Sequence, residues 1–183
     1  MNTALLIIDV QRAFFDATPR PYEADAVVSR INELARQARA MGRPVFIFQL
    51  ERGTVFLEYG SERWHLERNL YVAPSDHLLR KTSPDAFSRT SLHTTLHELG
   101  IQQLVICGYA SEFCIDETVR TAATLGYKVI LAADGHTTHD KELVSAAMIR
   151  AHENVILTKI PFTGKQVQVI ASTDITFGAD LKR

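Results

Sequence analysis

Short continuous apolar runs alternate along this chain with stretches whose apolar residues recur every third or fourth position. That alternation restricts the fold more than any other feature. Ala4 to Ile8 is unbroken apolar sequence, as a strand covered on both faces requires. Val27, Ile31, Leu34, Ala38 and Met41 then fall at helical spacing, with Gly42 placed to end the helix. Val45 to Phe48 reads as a second buried strand and His77 to Lys81 as a weaker third. Leu92, Leu96 and Leu99 form one helical face, which Thr90 or Ser91 could cap and Gly100 close. Leu104 to Cys107 is the fourth strand. Ile115, Val119, Ala122 and Leu125 make the next helical stripe, ended by Gly126, before a fifth strand at Val129 to Ala132. A helix over Lys141 to His152 and a sixth strand over Val155 to Leu157 complete the pattern. Strands alternating with helices through short connections predict a three-layer α/β/α fold with a mostly parallel six-stranded sheet.

The natural strand order is the Rossmann-like 3-2-1-4-5-6, which sets the first and fourth strands side by side at the switch point. A chain of 183 residues, 46% hydrophobic and without an internal repeat or low-complexity linker, suits a single domain over residues 1–183. Ligands bind in such sheets beyond the carboxyl ends of the strands. Asp9 ends the first strand, Lys81 ends the third, and Cys114 follows the fourth and opens a helix, so all three are expected to face one crevice. Each also has an ordinary structural reading. A carboxylate at a strand end commonly caps a helix, most lysines lie on the surface, and cysteine packs as a small hydrophobe. Five apolar residues lead into Asp9, which predicts burial and a need for a partner. Cys107, inside an apolar run, fits plain packing. Cys114 differs: a helix start and a nearby lysine lower a thiol's pKa, although Asp116 and Glu117 in the first turn oppose this. The residues alone leave Cys114 open between nucleophile and packed thiol.

Composition removes several other functions. Twenty basic against 21 acidic side chains give a net charge of −1, with no general attraction for nucleic acid or an anionic membrane. No apolar run reaches the length of a membrane span, and the N-terminus has neither a basic start nor a secretory apolar stretch, so the cytoplasm is expected. The two cysteines fit no CxxC motif. The first strand runs into Asp-Val-Gln-Arg-Ala-Phe-Phe without GxGxxG, and no GxxxxGK[ST] loop occurs anywhere, which argues against a nucleotide cofactor.

Three blocks carry a resemblance. Asp9-x-Gln11-x-x-Phe14, Lys81-x-x-x-Asp85-Ala86-Phe87 and Gly108-x-x-x-x-x-Cys114-Ile115-x-x-Thr118 together resemble the isochorismatase-like cysteine hydrolases over roughly residues 4–158. The resemblance implies Asp9, Lys81 and Cys114 as a catalytic triad. It also implies a cis peptide before Ala110, with the Ala110 and Cys114 N–H groups as oxyanion hole. The implied reaction is hydrolysis of a small amide, lactam or related C–N bond through a thioester. Gln11, Phe14, Trp64, Tyr109 and Phe113 are the residues expected around the substrate. Partners are expected to be a small molecule and further copies of the chain, as a homo-oligomer.

Departures from the family narrow this. Its nicotinamide-hydrolysing members carry an Asp-x-His and further histidines after the second strand; here that region reads Gln49-Leu50-Glu51-Arg52-Gly53, so no metal is expected. Asp85 stands where serine is commoner, and the presence of Cys114 argues against vinyl-ether chemistry. A reading from a different class is a metabolite-binding relative in which Cys114 is a redox-responsive thiol without turnover.

His93 and His97 are four apart on a predicted helix but lack the glutamate of HExxH, and they are expected to face solvent. His136 and His139 follow the fifth strand on the ligand side, where a substrate or capping role is expected ahead of a metal. The long connection from Leu50 to Asp76, with Phe56, Tyr59 and Trp64, is too apolar for disorder and is expected to wall the pocket or meet another subunit, with a short helix around Glu62 to Leu70. The stretch from Pro161 reads equally as a last strand or an arm.

Overall fold

The computed structural model describes residues 1–53, 56–159 and 167–178. Six strands form one sheet: β1 (Thr3–Ile8), β2 (Val45–Leu50), β3 (His77–Lys81), β4 (Gln103–Tyr109), β5 (Lys128–Thr137) and β6 (Val167–Ile170). Their order is β3-β2-β1-β4-β5-β6, with every neighbouring pair parallel. The helices are α1 (Arg12–Phe15), α2 (Ala24–Ala40), α3 (Leu92–Glu98), α4 (Asp116–Thr124) and α5 (Ala146–Lys159). A π-helical turn, Ser111–Ile115, runs directly into α4.

Alternation along β1 divides the core in two. Leu6 and Ile8 pack with Leu92, Leu96, Val119 and Ala122 beneath α3 and α4, whereas Leu5 and Ile7 pack with Val27, Ile31, Leu34 and Ala38 of α2. Both faces of β1 are thereby dry, which is why its sequence shows no polar alternation. β3 lies at the sheet edge, and its weak apolar pattern follows from that: His77 and Leu78 are exposed while Lys81 is buried. No helix among the described residues is long and apolar enough to cross a membrane.

Three expectations require correction. The sixth strand is Val167–Ile170, and Val155 to Leu157 belongs to α5, which begins at Ala146 rather than Lys141. The buried face of α5 is Ala146, Ile149, Glu153 and Leu157. A glutamate interrupts the apolar stripe, and the β-branched pair Val155-Ile156 imitates a strand. The segment 62–70 is a series of turns, not a helix, and is tied to the chain beyond β1 by an isolated antiparallel bridge between Leu66 and Gln11. Of the C-terminal stretch, residues 161–166 and 179–183 lie outside the described residues, while β6, Ile175 and Phe177 pack on the chain's own core.

Two details fix the sheet beside the crevice. Gly108 has φ +124, and a Cβ there would stand 2.1 Å from the Ile8 carbonyl oxygen. β1 and β4 therefore meet backbone to backbone where both strands end. Beyond this point β5 bulges: Ile106 pairs with Leu131, but Gly108 pairs with His136. The bulge returns His136 and Thr137 to the sheet opposite the end of β4.

Gly108→Ala is expected to cost at least about 2 kcal/mol, from the positive φ and the clash together, read as a fall of about 5 °C or more in thermal midpoint. An unchanged midpoint would contradict the close approach. Glu153 supplies a second test. Burial first, and then Asp116 beside it, raise its pKa to about 7. A carboxyl raised in this way stays protonated in the folded chain where the unfolded chain has ionised, so stability is lost as pH climbs from the ordinary glutamate value through about 7. Glu153→Gln should match wild type near pH 5 and exceed its midpoint by about 2–4 °C near pH 8. An equal offset at both pH values would contradict the buried carboxyl.

Candidate active site

Asp9 is the first residue beyond β1, turned by a left-handed backbone (φ 51), with its N–H donating to the Phe48 carbonyl at 3.1 Å. Lys81 is the last residue of β3. Because β2 lies between β3 and β1, the lysine side chain reaches across a strand to place Nζ 2.7 Å from Asp9 Oδ2, with both side chains wholly buried. The ammonium also donates to the carbonyls of Ser83 and Pro84 at 3.0 Å each.

Cys114 sits in the π-helical turn, 7% exposed, and interacts with both members of this pair. Burial raises Asp9 above the ordinary carboxylate range, against the pull of Lys81. Burial, and then the Asp9 charge, push the Cys114 thiol up to about 12, with Lys81 opposing. This corrects the expectation of a lowered thiol pKa. Lys81 is already neutralised by Asp9, and a free thiolate would add a second anion to a dry site.

The surroundings tie the three residues together. Asp85 accepts from the Phe87 N–H at 2.9 Å and from the Thr121 hydroxyl at 3.1 Å, and Thr118 Oγ1 accepts from the Ala86 N–H at 3.1 Å. The turn after Lys81 is thus bonded to α4, the helix that Cys114 leads into. Asp85 uses one carboxylate oxygen for each of its two partners.

The other expected site residues divide. Tyr109 stacks on Phe14 with ring centroids 4.4 Å apart, Phe56 meets the edge of Phe14, and the Tyr109 hydroxyl meets His139 Nδ1 at 2.9 Å. Tyr109 leads by a cis peptide into Ala110. Gln11 is fully buried and its amide is spent on main chain: it donates to the carbonyls of Leu50 and Trp64 and accepts from the Leu50 N–H. It holds the long connection against the end of β1. Trp64 lies edge-on to Tyr59, and Phe113 is 54% exposed beneath Lys141 Nζ, at the rim. A depression of about 470 Å³ lined by Glu51, Arg52, Gly53, Glu58, Tyr59 and Thr82 opens beside the ends of β2 and β3.

Sequence reasoning passed over Glu112, whose carboxylate accepts from Thr138 and Lys141 at 2.9 Å each, and Ser111, which is buried against His136. Neither has a periodic signal, since both lie in a turn. Glu51 is engaged by Arg80 at 2.7 and 3.1 Å, and among the described residues no cluster of three or more His, Cys, Asp or Glu could hold a metal. His93 and His97 are exposed.

Known proteins share this arrangement of strands. The chain is 37% identical over 139 residues to a streptothricin hydrolase of Streptomyces noursei, a match covering 75% of this chain and 50% of that protein. It thus spans about half that relative's length. Ureidoacrylate amidohydrolase RutB of Azorhizobium caulinodans is 27% identical over 187 residues, covering 81% of this chain and 82% of its own. A crystal structure of an isochorismatase family protein superposes with a TM-score of 0.83 at 32% identity, over 93% of this chain and 98% of that one. The family model described as Isochorismatase domain matches residues 3–160. That match runs from the start of β1 to the end of α5 and takes in Asp9, Lys81 and Cys114; the chain belongs to the isochorismatase family.

Proposed function

We propose that the chain is a cysteine hydrolase that cleaves a C–N bond of a small amide, lactam or related molecule, with Asp9, Lys81 and Cys114 as its catalytic residues. The observation that carries this reading is the buried Lys81–Asp9 pair with the Cys114 thiol coupled to it. The hydrolase and amidohydrolase relatives support the bond class.

The chemistry follows from charge. Ionising Cys114 alone would leave a buried site with one uncompensated anion. Moving its proton to Asp9 instead keeps the three groups at zero net charge throughout, because Lys81 remains a cation. Asp9, its proton affinity raised by burial, is suited to that transfer. As the proton leaves, the sulfur attacks the substrate carbonyl, and the N–H groups of Ala110 and Cys114 receive the oxyanion. Collapse breaks the C–N bond, and the Asp9 carboxyl protonates the departing nitrogen. The remaining thioester is cleaved by water, which gives a proton to Asp9 as it adds. The Cys114 thiolate leaves and recovers that proton, so the products are a carboxylic acid and an amine. Phe14 and Tyr109 supply an aromatic wall for the substrate.

Two substitutions separate these roles. Asp9→Asn removes the anion that raises the thiol while leaving Lys81 unneutralised, so the Cys114 pKa should fall, seen in a pH titration of thiolate ultraviolet absorbance. The same variant should lose about 10²–10⁴-fold in amine release across an amide panel, since an amide cannot shuttle the proton. Lys81→Met should raise the thiol further and also abolish turnover. A folded Asp9→Asn protein with near-normal turnover would sink the proposal.

A further inference from the structure

His136 has no part in the chemistry above, yet it is wholly buried and fully hydrogen-bonded. Its Nδ1 lies 2.8 Å from Ser111 Oγ and its Nε2 lies 2.9 Å from Asn154 Oδ1. Asn154 donates its Nδ2–H to the Ala133 carbonyl at 2.9 Å, so its oxygen is the end that faces the imidazole. An amide oxygen only accepts. The proton therefore sits on Nε2, Nδ1 of the neutral ring is the acceptor, and the Ser111 hydroxyl donates to it. Burial holds the ring neutral, with a pKa of about 4. The bonds run in one direction: from Ser111 to His136, to Asn154 of α5, and back to Ala133 in the bulge of β5.

Ser111, itself wholly buried, opens the turn between Ala110 and Cys114. The Ala110 carbonyl closes that turn by accepting from the N–H groups of Phe113 and Ile115 at 3.1 Å each. An apolar pair at 111 and 136 could fill the same space, but it would fix no direction. A donated hydrogen bond does, and it sets the Ser111 rotamer against a ring that β5 and α5 hold on two sides.

We propose that His136, acting through Ser111, is a positioning residue for acyl transfer: it fixes the turn whose Ala110 and Cys114 N–H groups receive the oxyanion. This inference rests on the reading of those groups and of Cys114 given above.

The test compares two reactions of the same sulfur. Acylation by 4-nitrophenyl acetate passes through a tetrahedral oxyanion, whereas alkylation by iodoacetamide forms none and needs only an accessible thiolate. Ser111→Ala should slow acylation of Cys114, followed as the burst of 4-nitrophenolate, by at least about tenfold. Alkylation should stay within about twofold of wild type, because no charge near the thiol has changed. Equal rates in both reactions, or an equal fall in both, would overturn the positioning role. Should Ser111→Ala not fold, His136→Asn carries the test, since its amide oxygen can stand in for Nδ1. It should acylate within about threefold of wild type, and a tenfold loss with normal alkylation would contradict the acceptor role. A wild-type chain that is alkylated but never acylated at Cys114 would overturn the underlying reading as well, which distinguishes the two failures.

Discussion

Lys81 and Asp9 stand 2.7 Å apart with neither side chain touching water, and the arrangement of the crevice follows from what that pair needs. Each ion taken out of water alone costs several kcal/mol, and attraction offsets this only where the remaining protons and lone pairs find partners. Lys81 has those partners in the Ser83 and Pro84 carbonyls, so the chain must turn sharply after β3. That turn is bonded in its own right to α4 through Asp85, Thr118 and Thr121. The helix following Cys114 is in this way placed relative to a lysine more than 30 residues earlier. A well-packed apolar pair would stabilise the fold about as well as a buried ion pair. The proposed proton transfer gives the charges a use that stability alone does not.

The two cysteines show how the same burial leads to different chemistry. Cys107 is wholly buried in β4, and desolvation alone raises its thiol. Cys114 is also raised by burial, but the Asp9 carboxylate and the Lys81 ammonium act on it as well. These are the groups that the proposed mechanism uses to take its proton and balance the charge that remains. Its raised pKa does not conflict with a nucleophilic role. In the proposed mechanism the resting proton is on sulfur and passes to Asp9 as the sulfur attacks, so a thiolate forms where its proton has somewhere to go. A stable free thiolate would react with any electrophile that reached it.

Much of this was legible in the sequence because dry parallel strands leave unbroken apolar runs, and because strand ends in this sheet order converge. Asp9, Lys81 and Cys114 were placed at one crevice on that ground, and the structure brings them together. The reading failed where a side chain serves two demands at once. Glu153, buried in the apolar face of α5, broke the helical period and turned the end of that helix into a false strand. Gln11 looked available to a substrate because its hydrogen bonds run to Leu50 and Trp64, far along the chain. Ser111, His136 and Asn154 carry no local pattern, since a bulge in β5 brings them into line. The sign of the Cys114 shift was missed because a helix start and a lysine were weighed without the burial of the thiol and without the Asp9 carboxylate that cancels the lysine.

The central claim is a covalent acyl group on Cys114, and acid-quenched peptide mass spectrometry during hydrolysis of an amide the chain turns over tests it most directly, with Cys114→Ala run in parallel. The account predicts an added mass equal to the substrate's acyl portion on the peptide carrying Cys114, and no product from the variant. Amine release by folded Cys114→Ala at a rate near wild type, with no adduct on the wild-type peptide, would contradict it.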